Sequence, residues 1–238
     1  MNILLLFESD WHETDCVRIT DARYLHLKNV LKVQVGDQLK VGQWGGLRGQ
    51  GEVLRVEDGF VDMRVTLSMP PTPRHPITVV LALPRPKMLR RVFRTCAEFG
   101  IAQLHIIHSQ RVEKSFWQSP LLKPARIQEA LRQGMERSGD TLPADVQLHQ
   151  RFKPFVEDRL ADIAQGNPIY VLHPGSAVGL GETPVTPATL IIGPEGGFIP
   201  YEIELLQQHN ALPRHLGERV LSVDTAVTSA LSITGLRV

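Results

Sequence analysis

The apolar run Thr189-Leu190-Ile191-Ile192 stops abruptly at Gly193-Pro194-Glu195-Gly196-Gly197-Phe198, and a helical pattern opens at Pro200 and continues to about His209. A short apolar run between turn signals reads as a buried strand. A strand that ends in such a loop delivers the chain to the place where open α/β sheets bind ligands. Gly196 and Gly197 carry no β-carbon, so a ligand can approach the backbone there. Pro200 suits a first helical turn, where a missing N–H costs nothing. The loop has no lysine and Glu195 would repel an anion, so it is not a phosphate-binding P-loop; nor does it match the G-x-G-x-x-G dinucleotide fingerprint. Two readings stay open: a neutral or zwitterionic cofactor held by backbone groups, or a strand-to-helix turn whose glycines serve geometry alone.

The stretch belongs to a longer alternation. Residues 77–83 read as an apolar strand, and Pro86 opens a helix to Phe99 that Gly100 ends. Residues 101–107 are a strand, 124–138 a helix, 146–148 a short strand, 153–163 a helix and 169–172 a strand ending at His173-Pro174-Gly175. After the 189–192 strand and its helix, 215–221 are a loop or short strand, and a closing helix runs from Asp224 to about Gly235. Repeated βα units predict a parallel sheet with helices on both faces.

The first part of the chain has a different texture. Its opening apolar run has no preceding basic residues and is a strand rather than a signal peptide. Asp21 caps a helix to about Leu31, with Leu25, Leu27, Val30 and Leu31 expected inside and Arg23, His26, Lys28 and Lys32 outside. Runs at 38–41, 51–56 and 60–68 read as strands, the last alternating as a half-exposed strand does. A small β-barrel is the natural solution. The proline-rich residues 69–76 read as a rigid linker, drawn at 71–76 between units 1–70 and 77–238. No apolar segment is long enough to span a bilayer, so a soluble, cytoplasmic protein is expected. Cys16 and Cys96 read as ordinary thiols of a reducing compartment. The nine histidines lack H-x-x-x-H or H-x-E spacing, so no metal is expected.

The net charge of +1 argues against a protein that binds nucleic acid over its whole surface, yet Arg85, Lys87, Arg90, Arg91 and Arg94 put five cations into ten residues. Such a run is either a solvated helix face or a contact for a phosphate backbone; the local excess favours the latter. Arg111 and Lys114 lie beyond the 101–107 strand with Phe116 and Trp117. They either hold a phosphate and stack a base, or the aromatics pack inward and the cations are solvated. Gln133 and Arg137 share a helix face one turn apart, as a surface pair or as residues turned toward the ligand end of the sheet.

Three loops, Leu172-His173-Pro174, Gly193-Pro194-Glu195-Gly196-Gly197-Phe198 and Leu216-Gly217-Glu218-Arg219-Val220-Leu221, are expected to converge. The last two, with Thr225-Ala226, resemble the signature of the SPOUT methyltransferases. More narrowly they are similar to the RsmE-type family, which methylates N3 of a uridine in 16S ribosomal RNA. Ala97-Glu98-Phe99-Gly100-Ile101 and Glu129-Ala130 with Gln133 and Arg137 resemble further family segments, and the amino-terminal unit resembles the family's PUA-like RNA-binding domain. The resemblance spans nearly the whole chain. It implies a trefoil-knotted parallel-sheet domain and a homodimer. It also implies S-adenosylmethionine held by backbone groups of Leu172, Gly193, Gly197, Leu216 and Leu221 within loops that also carry His173, Pro174, Pro194, Glu195, Gly196, Gly217, Val220, Thr225 and Ala226.

Methyl transfer to a uridine N3 requires loss of its proton, and a cation favours the deprotonated base. Arg219 matches the motif's arginine and takes that role or orients the base. The implied RNA contacts are Arg23, His26 and Lys32 in the first unit, and Arg85, Lys87, Arg90, Arg91, Arg94, Arg111, Lys114, Gln133 and Arg137 in the second. Two positions depart from the common pattern: Ser222 stands where a second arginine is frequent, and Asp224 replaces a glutamate. Ile199 stands where a capping Ser or Thr is usual. The departure at Ser222 keeps open a second reading, a non-catalytic or retargeted RNA-binding paralogue of the same family.

Overall fold

The computed structural model of the protein describes residues 2–183 and 187–235; Met1, 184–186 and 236–238, where the expected ranges touch them, lie outside the described residues. The chain divides into two compact units, Met1–Pro73 with Met135–Pro143, and Arg74–Gly134 with Ala144–Val238. The expected ranges 1–70 and 77–238 did not foresee the Met135–Pro143 segment in the first unit.

In the first unit, β1 (Leu4–Leu6), β2 (Cys16–Ile19), α1 (Ala22–His26), β3 (Gln38–Gln43), β4 (Arg48–Glu57) and β5 (Phe60–Met69) follow in order. The strands form one five-stranded mixed sheet, β1-β3-β4-β5-β2, in which β1 runs parallel to β3 and the other neighbours are antiparallel. Leu4, Leu6, Val17, Ile19, Val41, Val53, Val61 and Met63 supply its core. Gly49 sits where β4 shifts register against β5, and a β-carbon there would overlap the Thr66 carbonyl. Asp62 departs from the alternation of β5: it is buried, chelated by Arg18 at 2.7 and 2.9 Å and bonded to Arg55 at 2.7 Å. These guanidinium groups, Arg18 first, hold its carboxyl below the usual range.

Asp21 caps α1 as expected, its carboxylate accepting the Arg23 N–H at 2.8 Å. The regular helix lasts only to His26, and Leu27–Leu31 form a wider π turn that ends with Lys32 at φ 53°. Wider winding breaks the 3.6-residue period. Val30 and Leu31, expected inside, are therefore exposed; Leu25, also expected inside, is exposed on the regular turn of α1, and Leu27 with Tyr24 fills the core. Arg23 is the second correction. Its side chain is buried, bonded to both oxygens of Asp10 at 2.7 Å and to the Leu5 carbonyl at 2.7 Å, with Nε on Asp21. It has no face left for RNA. His26 is half-buried and Lys32 exposed.

The second unit contains β6 (His75–Ala82), α2 (Pro86–Glu98), β7 (Ile101–Ile107), α3 (Pro124–Ser138, whose last residues belong to the first unit) and β8 (Asp145–His149). α4 (Phe152–Asp158), α5 (Leu160–Ala164), β9 (Ile169–Leu172), β10 (Ala188–Ile192), α6 (Pro200–Gln208), β11 (Ala211–Arg214) and α7 (Val223–Gly235) complete it. Its six strands form a wholly parallel sheet ordered β8-β7-β6-β10-β9-β11. The expected 153–163 helix is two, broken at Arg159. β11 was not foreseen because Pro213 interrupts it; a proline is tolerated where the strand forms the sheet edge. The 69–76 stretch shrinks to residues 70–74, since β5 reaches Met69 and β6 begins at His75, with Pro76 absorbed by a register irregularity between His75 and Thr78. Burial pushes the Cys96 thiol up to about 12, so it is an inert core group. Among the described residues no helix is long and apolar enough to cross a membrane.

His105 of β7 is buried, with Nδ1 3.1 Å from Nε2 of His149 on β8 and the Phe155 ring against both imidazoles. Burial, and then the neighbouring His149, push its pKa down to about 4 from an ordinary 6.5. Between these values the unfolded chain binds one proton more than the folded chain. Stability is therefore full above pH 6.5 and falls as the pH drops through the window. About 2 kcal/mol should be lost between roughly pH 7.5 and pH 5 in urea titrations. His105→Phe should flatten the slope; an unchanged slope would assign it to other groups.

Candidate functional site

The carboxyl ends of β9 and β10 and the chain after β11 close around one cavity of about 280 Å³. Leu172, His173 and Pro174 supply one wall, and Gly193, Pro194, Glu195, Gly196 and Gly197 a second. Leu216, Gly217, Arg219, Val220 and Leu221 form a third, with Ala226 of α7 beneath. The three loops expected to converge do so. Thr225 does not line the cavity; its hydroxyl lies 2.9 Å from that of Ser222. Ile192 and Val223 also line it. Sequence reasoning missed both, although each is the apolar residue next to a singled-out loop or to the Ser222–Asp224 pair.

Each loop is shaped by its own backbone. Gly197 closes a turn, its N–H donating to the Pro194 carbonyl at 2.8 Å, and takes φ 72°, which a side chain would resist. Gly217 takes φ 110°, and its N–H donates to His215 Nδ1 at 3.0 Å. The His173 N–H donates to the Arg214 carbonyl at 2.9 Å, joining the first loop to β11.

Side chains from neighbouring elements brace the central loop. Glu195 Oε1 accepts the Arg85 N–H at 3.0 Å, bridging the chain after β6 to the chain after β10 at the point where the strand order reverses. Glu202, buried in α6, accepts the Ile199 N–H at 2.9 Å and the Gln110 N–H at 2.7 Å. Its carboxylate supplies the reciprocal half of a capping box by taking the N–H of the N-cap residue, while no side chain at Ile199 caps the first turn. Arg111 Nη1 donates to the Gly196 carbonyl.

The remaining sequence-selected cations lie mostly in the open. Arg85, Lys87, Arg90 and Arg91 are exposed; Arg94 is half-buried, with its Nε buried and without a hydrogen-bond partner among the described residues. Arg90 donates to Gln133 at 3.3 Å, and Gln133 in turn donates to Glu129 at 2.7 Å, so Gln133 is part of a surface chain of hydrogen bonds. Arg137 is exposed, and its main-chain carbonyl accepts from Asn2. Lys114 is exposed; Phe116 and Trp117 are half-buried, and the Trp117 N–H donates to His108 at 3.0 Å.

At the start of α7 the two departures from the family pattern meet. Ser222 donates to Asp224 Oδ1 at 2.7 Å, and Arg91 of α2 bonds Asp224 Oδ2 at 3.2 Å. The Ser222 hydroxyl first, and Arg91 after it, hold the Asp224 carboxyl below the usual range. An aspartate at the first turn of a helix also meets the positive end of its dipole. A cation from another helix thus reaches the carboxylate that Ser222 also bonds.

A parallel α/β sheet with one apolar cleft at its strand ends, walled by glycine-rich backbone, defines a protein that binds a compact organic cofactor. The profile of the RNA methyltransferase domain family matches residues 70–235, and the chain belongs to that family. It is 26% identical to the ribosomal RNA small subunit methyltransferase E of Treponema pallidum, over 98% of this chain and 90% of that one. It is 27% identical to the protein of the same name from Mycobacterium bovis, over 99% and 92%. Its fold is similar to that of a Legionella pneumophila methyltransferase solved with S-adenosylmethionine, with a TM-score of 0.78 at 22% identity over 99% and 98% of the two chains. It is also similar to a ribosomal RNA small subunit methyltransferase E of Neisseria gonorrhoeae bound to the same cofactor, with a TM-score of 0.76 at 18% identity over 98% and 95%.

Proposed function

We propose that this chain is an S-adenosylmethionine-dependent methyltransferase acting on N3 of a uridine in 16S ribosomal RNA. In this reading the second unit is a trefoil-knotted SPOUT domain and the first a PUA-like RNA-binding module. The protein works in the cytoplasm as a homodimer without a metal. The carrying observation is the convergence of the three loops on one cavity walled by the backbone of Gly193, Gly196, Gly197 and Gly217. The names of the relatives and the cofactor in the two similar structures agree with it.

The residues fit the cofactor. Leu172, Ile192, Leu216, Leu221 and Val223 offer apolar surface to a flat ring, while the glycines let the ring and sugar reach main-chain groups. Arg219 is the cation among the lining residues, and Glu195 is turned to the Arg85 N–H. When bound, the cofactor supplies an electrophilic methyl group on a sulfonium. Arg219 lowers the cost of the negative charge that the uracil acquires when its N3 proton leaves. The basic residues Arg85, Lys87, Arg90 and Arg91 hold the RNA backbone and carry no base information themselves.

Calorimetric titration with S-adenosylhomocysteine, followed by nucleoside analysis of 16S ribosomal RNA incubated with protein and cofactor, tests this. Binding and recovery of a uridine methylated at N3 are the expected results. Absence of cofactor binding at millimolar ligand overturns the reading, and cofactor-independent, salt-sensitive RNA binding without methyl transfer identifies the non-catalytic paralogue instead.

A further inference from the structure

We propose that Arg111 is a positioning residue for the cofactor loop, bracing Gly196 from outside the cavity, rather than a residue devoted to RNA. The proposal rests on the cavity being the cofactor site.

Three observations carry it. Arg111 Nη1 donates to the Gly196 carbonyl, in the middle of the turn that Gly197 closes onto Pro194. The stem of Arg111 lies against the Cα of Gly196: a β-carbon built there would be 3.1 Å from Arg111 Cδ and 3.4 Å from its Cβ. Gly196 does not take a positive φ, unlike Gly197, so the first thing that a side chain there would meet is the arginine stem. Finally, Gly196 lines the cavity and Arg111 does not. The glycine separates them, with the cofactor cleft on one side and the arginine on the other.

The brace is itself anchored. Gln110, the residue before Arg111, gives its N–H to Glu202, and the same carboxylate takes the Ile199 N–H at the far end of the loop. Val112, the residue after Arg111, is buried and turns back onto the Ser109 carbonyl at 3.0 Å. The chain following β7 therefore grips the loop following β10 at two points, residues 196 and 199. A loop with adjacent glycines has many alternative conformations, and fixing it before the ligand arrives raises affinity by removing that ordering cost from the binding step. A guanidinium has five N–H donors and the bond to Gly196 uses one; the exposed remainder is free to meet phosphate without releasing the loop.

The test is calorimetric titration of S-adenosylhomocysteine into the full chain and its variants, with amide hydrogen exchange of residues 193–198 measured in parallel. Arg111→Ala is expected to weaken binding roughly tenfold or more and to speed exchange in that loop. Arg111→Lys, which keeps one donor and the stem, restores most of the loss. Gly196→Ala weakens binding in the wild-type background and costs little further in the Arg111→Ala background, because the atom that its β-carbon meets is gone. In turnover, Arg111→Ala raises KM for the cofactor while kcat at saturating cofactor stays within a few-fold.

Affinity and exchange within twofold of wild type in a folded Arg111→Ala protein overturn the proposal. So does additive behaviour of Gly196→Ala and Arg111→Ala. Should Arg111→Ala fail to fold, Arg111→Lys and Gly196→Ala decide: full affinity in Gly196→Ala is the overturning result. Failure of the wild-type protein to bind the ligand overturns the cofactor assignment itself, and this proposal with it, and is distinguished by being seen before any substitution is made.

Discussion

Arg219→Ala is expected to lower kcat roughly 10²–10³-fold while leaving the affinity for S-adenosylhomocysteine within a few-fold. Arg219 is exposed and lines the mouth of the cavity beside Val220, which is 83% exposed, so its removal opens no hole in a packed interior. Backbone groups can hold the cofactor without it. In the proposed reading it offers positive charge where the nucleobase must lose a proton, and a donor directed at developing charge is worth about 3–4 kcal/mol once bound RNA has excluded water from around it. A second signature follows from the same physics. In both proteins the N3 proton leaves to water or hydroxide; without the cation the uracil N3 keeps a higher pKa, so the rate of the variant should go on rising with pH where that of the wild type levels off. Arg219→Lys should recover part of the rate, since charge survives while the planar fork is lost. Single-turnover methyl transfer at saturating cofactor from about pH 6.5 to pH 9 measures both effects; equal rates in wild type and Arg219→Ala would remove Arg219 from the chemistry.

The second large effect concerns stability. Arg23 and Asp10 form a doubly bonded ion pair, both side chains 7% exposed, with Asp10 also accepting the Phe7 N–H at 2.8 Å and Arg23 also bonding the Leu5 carbonyl. The two carboxylates Asp10 and Asp21 drive the Arg23 pKa upward against the desolvation that opposes it. Removing one member strands a charge in the interior, which typically costs about 3–5 kcal/mol, whereas replacing both by apolar groups is often close to neutral. Arg23→Met should destabilise the first unit by that amount, and Arg23→Met with Asp10→Leu should restore much of it. Hydrogen exchange of β1, β3 and β5 in the full chain isolates this unit from the rest. A loss below about 1 kcal/mol for Arg23→Met would mean that water reaches the pair.

This pair also marks the boundary of what the chain discloses on its own. Arg23 lies in the first turn of the capped helix α1, and nothing near it in sequence signals a carboxylate thirteen residues upstream. The same holds for Asp62, whose partners come from β2 and β4. Local chemistry was readable: the Asp21 cap, the Gly197 turn and the βα alternation are decided by a few adjacent residues. The three loops that wall the cavity were readable because the first two follow strands plain in the sequence and the last two carry a motif; β11, ahead of the third, was not foreseen. Residues that act by reaching across strands were not. Arg91 on Asp224, Arg111 on Gly196 and Glu202 on Gln110 all depend on strand order, which periodicity does not encode. Nor does it encode the π winding after His26, which turned Val30 and Leu31 outward against expectation.

Strand order has a further consequence, for the kinetics of folding. β6 pairs with β7 soon after it in the chain, but its other neighbour, β10, lies roughly 110 residues further on. Until that closure occurs, one edge of β6 is bare, and an unpaired apolar edge invites pairing with another chain. Closing so long a loop is slow, and although β9, β10 and β11 pair among themselves, the bonds from Gln110 and Arg111 that brace the central cavity loop cannot form before it happens. Refolding should therefore show a late phase in which ligand competence appears together with protection of the β6 amides, after β7 and β8 are already protected. Added cofactor would then act as a trap for the finished fold, drawing the population past its slowest step without speeding that step.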